Sequence, residues 1–396
     1  MKVVRNPFSK TVIGDDEPLC NQKDLLAALT MEAHSGNNNV LLAPRRAGKT
    51  SLAMRLARDY RTAGGLATIA DLSAVPSADA AADRIATAIF ASLSADNKIF
   101  TKLSRLVTAF VPIITMNADG SFSVSASPSG LVKSGIDKLV SVVASLDSIS
   151  SNSKTPLLVI FDEFQDLAQL TDSVQIEAAL RTTIQHHKAS YLFIGSRRKL
   201  LRDMFESPKR AFYRGATTRD LPLIDPAEFS SYLVALAEAS GAKWSHEIAD
   251  SIIATAESHT YSVTAIAHAL FEATAPNPPN KGDLAEAVKT AAIRETSLFM
   301  SIYEALSPQA RMLLEALAAE PTKHPMAGDY MSRHKLTTAG TVRKSLTALV
   351  NGDHIASDEN GLISLTDPLM TRWLNTRWGK RSMLRGLVIQ APPGNE

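Results

Sequence analysis

Ala43-Pro-Arg-Arg-Ala-Gly-Lys-Thr50 sits between a short apolar run, Val40-Leu-Leu-Ala43, and a stretch of helical character from Lys49 to about Arg61. A strand, a tight loop ending in Gly-Lys-Thr and a helix form the context in which this pattern reads as a phosphate-binding loop. The backbone N–H groups of such a loop wrap phosphate oxygens, and the start of the following helix adds its positive dipole end. Ala43, Pro44, Arg45, Arg46, Ala47, Gly48, Lys49, Thr50 and Ser51 are therefore the expected ATP-binding residues. Lys49 supplies a point charge for the β- and γ-phosphates, and the Thr50 hydroxyl is the expected Mg2+ ligand. Ala43 stands where the usual pattern has its first glycine, and a small residue still lets the chain turn.

A second motif lies downstream. Leu157-Leu-Val-Ile-Phe-Asp162-Glu163 reads as a buried strand delivering two carboxylates at its C-terminal end, where parallel α/β sheets bind ligands. Asp162 is expected to hold Mg2+ through water, and Glu163 to polarise the water that attacks the γ-phosphate. Of the two, Glu163 speaks for hydrolysis, since holding Mg2+ does not need it. An acidic N-cap explains either residue but poorly explains both. Tyr191–Gly195 is a further strand, ending at Ser196, and Arg197, Arg198, Arg210 and Arg214 follow it. Arg214 is the candidate arginine finger, in cis or in trans, with a surface or ion-paired arginine as the alternative.

Working outward, Leu66–Leu72 reads as a strand and Ala78 to about Leu93 as a helix. Strands alternating with helices predict an α/β core, a parallel sheet with helices on both faces. Ile113–Asn117 and Ser121–Ser125 flank Asp119-Gly120 and predict a β-hairpin insertion at about 100–150, read as a surface elaboration. The Ser-rich stretch Ser148–Ser153 reads as a linker closing that insertion. From Asp225 the pattern turns helical, with Pro226–Ala239, His246–Glu257, Val263–Thr274 and Asp283–Glu295. Helices at Pro308–Ala319, His324–Arg333 and Thr338–Val350 then precede strands Asp353–Ser357 and Leu362–Thr366, which is the winged-helix plan. The expected domains are a core at 1–225, a helical lid at 226–298, a winged helix at 299–378 and a basic tail at 379–396.

Arg333, Lys335, Arg343 and Lys344 are placed to reach DNA if helix Thr338–Val350 docks as a recognition helix. Asp358 and Glu359 on the wing oppose phosphate contact. Winged helices also bind proteins, so DNA and a protein partner both stay open. The net charge of +2 is too small to announce a nucleic-acid binder, although the basic excess falls within residues 299–396. The lone Cys20 rules out an intramolecular disulfide and fits a reducing compartment. Met1–Lys10 has charges but no apolar core, which predicts no signal peptide, and no apolar run approaches a membrane span. The expected location is cytoplasmic. The histidines form no ligand-like cluster, and His186-His187 reads as a solvated helix end.

With these residues in hand, the chain resembles the archaeal-type ATPase group of the AAA+/STAND NTPases, relatives of the origin-recognition initiators. The resemblance rests on Asn6-Pro-Phe, Cys20-Asn-Gln-Lys-Asp24, Pro44-Arg-Arg-Ala-Gly-Lys-Thr-Ser-Leu52, Phe161-Asp-Glu-Phe-Gln165, Gly195-Ser196, Phe212-Tyr-Arg-Gly-Ala216 and Asp367-Pro-Leu-Met-Thr-Arg-Trp373. It implies an ATPase core, a helical lid and a winged helix, with Ser196 as the sensor residue that orients the attacking water. The alternative it leaves is a non-catalytic nucleotide-gated scaffold of STAND type, and it admits a homo-oligomer. The chain departs from the family at two places. Gln22 replaces an arginine of the N-terminal motif, and Ser258-His-Thr260-Tyr261 stands where a Gly-x-Pro turn is usual, with no sensor arginine after it.

Overall fold

The three central apolar runs become neighbouring strands for a reason visible in their side chains. In a strand successive residues face opposite ways, so a run that is apolar throughout must be covered on both faces. The computed structural model describes residues 5–8, 20, 22–94, 110–116, 122–128, 134–153 and 155–376. Its main sheet has five parallel strands: β1 (Asn39–Leu42), β2 (Leu66–Asp71), β5 (Leu157–Asp162), β6 (Ser190–Gly195) and β7 (Thr217–Asp220). Their order is β2-β5-β6-β1-β7, with every pairing parallel.

Alternation divides the core in two. Val40, Leu42, Val159, Phe161, Tyr191 and Phe193 face one layer, where they pack with helices Ala78–Ser94, Gly135–Ser153 and Ser173–Ile184. Leu41, Leu158, Ile160, Leu192 and Ile194 face the other, against helices Lys23–His34 and Lys49–Thr62. The sheet is therefore three-layered, with the P-loop helix on one side and the aromatic cluster of Phe161, Phe164, Phe193, Phe205 and Phe212 on the other.

Strands β3 (Phe110–Met116) and β4 (Phe122–Pro128) form the expected antiparallel hairpin, Met116 opposite Phe122. The Asp119-Gly120 turn lies outside the described residues. Ser148–Ser153 is not a linker. It is the last part of helix Gly135–Ser153, because Leu139, Val142, Leu146 and Ile149 continue a buried stripe at helical spacing through the serines. Ser150 is buried there and its hydroxyl donates to the Thr155 carbonyl at 3.3 Å. Edge strand β7, Thr-Thr-Arg-Asp, escaped the sequence reading because it carries no apolar signal.

The chain divides into two compact units, Thr11–Pro222 and Met1–Lys10 with Leu223–Glu396. The second unit is helical, with helices Pro226–Ala239, His246–Thr255, Thr260–Thr274 and Lys281–Arg294. Asp225, Ser245 and Asn280 cap three of them by accepting backbone N–H bonds. Phe8 belongs to this unit: it stacks on Trp244 at 4.9 Å and its carbonyl meets His268 Nδ1 at 2.7 Å.

A helix that the sequence reading lacked, Thr296–Ala305, leads into the winged helix. Helices Pro308–Ala319, Gly328–Arg333 and Ala339–Asn351 precede the antiparallel wing strands β8 (Ile355–Ser357) and β9 (Ile363–Leu365). The middle helix begins later than His324 because Thr322 bridges to Ile363, extending the wing instead. At the wing tip Gly361 takes the left-handed φ of 81°. Asp358 accepts from the Asn360 and Leu362 N–H groups, so the turn is held by its carboxylate. Helix Pro368–Asn375 closes the unit with Trp373 buried. No helix among the described residues is long and apolar enough to cross a membrane, and the basic tail beyond 376 lies outside them.

Candidate nucleotide site and winged-helix surface

The site stands at the C-terminal ends of β1, β5 and β6, and each strand end is built differently. After β1, the loop turns through left-handed backbone at Arg46 (φ 62°) and Gly48 (φ 87°), and Lys49 then opens the helix. Ala43 is fully buried and does not need positive φ, which is why alanine serves where the pattern has glycine.

After β5, continued strand geometry would send Glu163 to the face opposite Asp162. Instead Glu163 adopts φ 53° and ψ 37°, a conformation that costs a non-glycine residue about 1–3 kcal/mol. The result is that both carboxylates reach the same ammonium: Lys49 Nζ lies 2.5 Å from Glu163 Oε1 and 3.6 Å from Asp162 Oδ1. Thr50 Oγ1 donates to Asp162 Oδ2 at 2.8 Å.

After β6, Ser196 donates twice to Glu163 Oε2, from Oγ at 2.8 Å and from its backbone N–H at 3.1 Å. Lys49, Thr50, Asp162, Glu163 and Ser196, five residues drawn from three strand ends, are thus one hydrogen-bonded group.

Its electrostatics follow from burial against pairing. Burial pushes Glu163 up, but the Lys49 ammonium and the donors Gln165 and Ser196 outweigh it and hold the carboxyl at about 2. Asp162 goes the other way, since burial exceeds the help from Lys49 and Thr50 and raises it above the ordinary range. Burial lowers Lys49, and the two carboxylates more than restore it, so it rises above an ordinary lysine. Glu163 is therefore an ionised acceptor at neutral pH. Thr50 Oγ1 and Asp162 Oδ2 are hard oxygen donors side by side, the donor set that suits Mg2+ completed by phosphate and water.

Two arginines of the sequence reading part company. Arg210 forms a paired contact with the buried Glu177 carboxylate, whose own value burial raises and Arg210 partly restores. It is an ion-pair partner. Arg214 is exposed, at left-handed φ 53°, with its guanidinium 5.2 Å from the Tyr213 ring centre. His187 is not a solvated helix end either: its Nδ1 lies 2.6 Å from the buried Tyr191 hydroxyl. Sequence reasoning gave no role to Gln165, which is 1% exposed and donates to Glu163 Oε2 at 2.7 Å. The signal was its place two residues after the acidic pair.

On the winged helix Arg343 and Lys344 are both exposed on helix Ala339–Asn351, while Val342, Ser345 and Leu349 turn inward. Lys335 is exposed at φ 54°. Arg333 is engaged by Glu320 and Asp329, so a phosphate would have to compete for it.

In the helical stretch that departs from the family pattern, Glu257 and Ser258 both take left-handed φ, 51° and 57°. The serine thus adopts the backbone a glycine would supply without strain. His259 then caps helix Thr260–Thr274 by accepting from the Ser262 N–H, and that helix holds neither arginine nor lysine.

Residues 297–376 match a family described as "Probable winged helix domain". No curated protein matches the chain in sequence. Among solved structures, the Walker-type ATPase PABY2304 of Pyrococcus abyssi aligns with TM-score 0.70 at 15% identity, over 93% of this chain and 100% of that one. The Aeropyrum pernix ORC2 protein, in ADPNP-ADP complexes, aligns with TM-score 0.56 at 15% identity over 96% and 98%. The Aeropyrum pernix ORC1 protein in complex with DNA aligns with TM-score 0.51 at 14% identity over 93% and 96%. The chain therefore has the AAA+ fold of the archaeal Walker-type ATPase and ORC structures, a parallel P-loop sheet layered by helices and followed by a winged helix domain.

Proposed function

We propose that this chain is a Mg2+-dependent ATPase that works as a switch, its winged helix passing the nucleotide state to DNA. The observation that carries the proposal is the single hydrogen-bonded group of Lys49, Thr50, Asp162, Glu163 and Ser196. In this reading Lys49 would place its charge on the β- and γ-phosphates, and Thr50 and Asp162 would hold Mg2+, whose charge would offset that of the phosphates. Glu163, released from Lys49 and still held by Ser196, then polarises the attacking water. The neighbours add support, since the ORC2 structure carries ADPNP and ADP and the ORC1 structure carries DNA. Arg343 and Lys344 are the residues we place on DNA, with Lys335 and Arg333 beside them. Arg214, exposed in the core just before β7, is proposed as the finger, supplied from a second copy in a homo-oligomer. The domains follow the proposed division into core, lid, winged helix and tail, and the compartment proposed is the cytoplasm.

The test is ATP turnover by the wild type and by Lys49→Ala and Glu163→Gln, each with and without duplex DNA. Turnover that rises with DNA in the wild type and falls to a small residual rate in both variants is expected. Tight ATP binding without turnover in the wild type sinks the enzymatic reading.

One observation favours a second reading. Helix Thr260–Thr274 has no arginine or lysine to sense a phosphate, which suits a STAND-type scaffold holding ATP as a signalling ligand for a protein partner. Equal, negligible rates in wild type and Glu163→Gln are its expected outcome.

A further inference from the structure

We propose that Gln165 is a positioning residue for Glu163, holding one carboxylate oxygen so that the other is the one offered to water. The inference rests on the hydrolytic reading above and names the part that aims its base.

The Gln165 amide lies between two carboxylates, Glu163 Oε2 at 2.7 Å and Asp166 Oδ1 at 3.1 Å from its Nε2. An ionised carboxylate only accepts, so the amide must turn its NH2 toward both. That leaves its carbonyl oxygen facing the other way, where it is buried without a hydrogen-bond partner among the described residues. A buried orphan acceptor is a cost that packing alone does not ask for, and an apolar residue of the same size would avoid it.

The amide is also fixed from behind. A Cβ placed on Gly195 would stand 1.8 Å from Gln165 Oε1, so glycine at that position is what lets the side chain lie there. Its second carboxylate is no loose end: Asp166 accepts from the Ala74 backbone N–H at 2.8 Å and from Gln169 Nε2 at 2.9 Å. A line of bonds thus runs from the loop after β2, through Asp166 and Gln165, to Glu163.

At Glu163 the consequence is an asymmetry between two chemically equivalent oxygens. Oε2 accepts from Gln165 Nε2, Ser196 Oγ and Ser196 N–H, which fills its lone pairs. Oε1 meets the Lys49 ammonium at 2.5 Å. When Lys49 turns to phosphate, Oε1 is the oxygen with capacity left, and Gln165 with Ser196 fixes where it points. Ser196 supplies both of its bonds from one residue, and Gln165 adds a donor from a different segment.

The test uses the full chain with Mg2+ and ATP. Gln165→Met keeps the volume and removes both donors, and Gly195→Ala keeps the amide but pushes it aside. Each is expected to lower kcat about 30- to 100-fold, the scale of a misplaced reacting group, with KM for ATP and affinity for ADP within about 2-fold. In a Glu163→Gln background, adding Gln165→Met is expected to change the residual rate by less than about 2-fold, because residues acting as one unit are not additive. Wild-type kcat in Gln165→Met overturns the inference while leaving the hydrolytic reading intact. A matched loss of kcat and nucleotide affinity in both variants overturns it too, as general loosening. A wild type that binds ATP without turnover removes the hydrolytic reading and this inference with it.

Discussion

Charged side chains are used in opposite ways in the two halves of this molecule. At the P-loop, Lys49, Asp162 and Glu163 are sunk among apolar strands and satisfied by one another and by Thr50, Ser196 and Gln165. On the winged helix, Arg343 and Lys344 stand in solvent, and Arg333 is paired on the surface. Burial strengthens each interaction and raises the cost of leaving a partner alone, whereas solvent and salt screen the exposed charges. A buried set therefore yields large, specific effects when one member is removed. An exposed set yields effects that depend on what approaches it.

The hardest test of that contrast is Lys49→Ala. Two carboxylates would stay buried without their cation, and an expected loss of about 3 kcal/mol in unfolding free energy at pH 7 follows. The pH dependence has a definite sign. The folded-state value of Glu163 is depressed from 4.5 to about 2, so its contribution is complete above about 4.5 and is lost as pH falls toward 2. Urea unfolding with a chelator present should thus show a gap between wild type and variant that is widest near neutrality and closes on acidification. A gap of constant size from pH 7 to pH 3 would break the comparison, because the pair would then contribute nothing through ionisation.

Arg210→Ala comes next. It leaves the buried Glu177 carboxylate unpaired, and an expected loss of about 2 kcal/mol reflects an arginine that is itself partly exposed. ATP turnover per folded molecule should not change. Arg214→Ala should do the reverse, with stability within about 0.5 kcal/mol of wild type and turnover reduced. Thermal unfolding beside steady-state rates separates the two, and a turnover loss in Arg210→Ala with full stability would assign the finger role to the wrong residue.

How much of this was legible in the sequence depends on whether a residue's partner was local. The P-loop and the acidic strand could be read because each motif sits within one strand–turn segment, and alternation along Leu157–Asp162 already required a covered sheet. The wing and its three helices were visible in the spacing of Val342 and Leu349 and in the Asn360-Gly361 turn. Strand β7 was not, since Thr217–Asp220 is held by pairing to β1 and by nothing in its own composition. Gln165 offered only its place two residues after the acidic pair, because its meaning lies in Gly195, thirty positions away and brought close by β6. The serines of 148–153 misled because polarity was weighed above the apolar stripe that runs beneath them. The left-handed turn at Glu163, which aims two carboxylates at one lysine, has no sequence signal at all.

The smallest effect on the folded protein, and the most informative about its partner, belongs to the exposed set. Replacing Arg343 and Lys344 with alanine together should leave unfolding free energy within about 0.5 kcal/mol of wild type, since neither side chain is buried. If the helix faces DNA, each cation that meets a phosphate releases a counterion, and the slope of log affinity against log salt should fall by about 2 in the double variant. Fluorescence anisotropy of a labelled duplex across a salt series reads that slope directly. Arg333→Ala should lower it by less than one, because Glu320 and Asp329 already hold that guanidinium and must be displaced first. An unchanged slope in the double variant would move the contact off this helix and make the exposed face a surface for protein, with ATP turnover then tested against a partner chain.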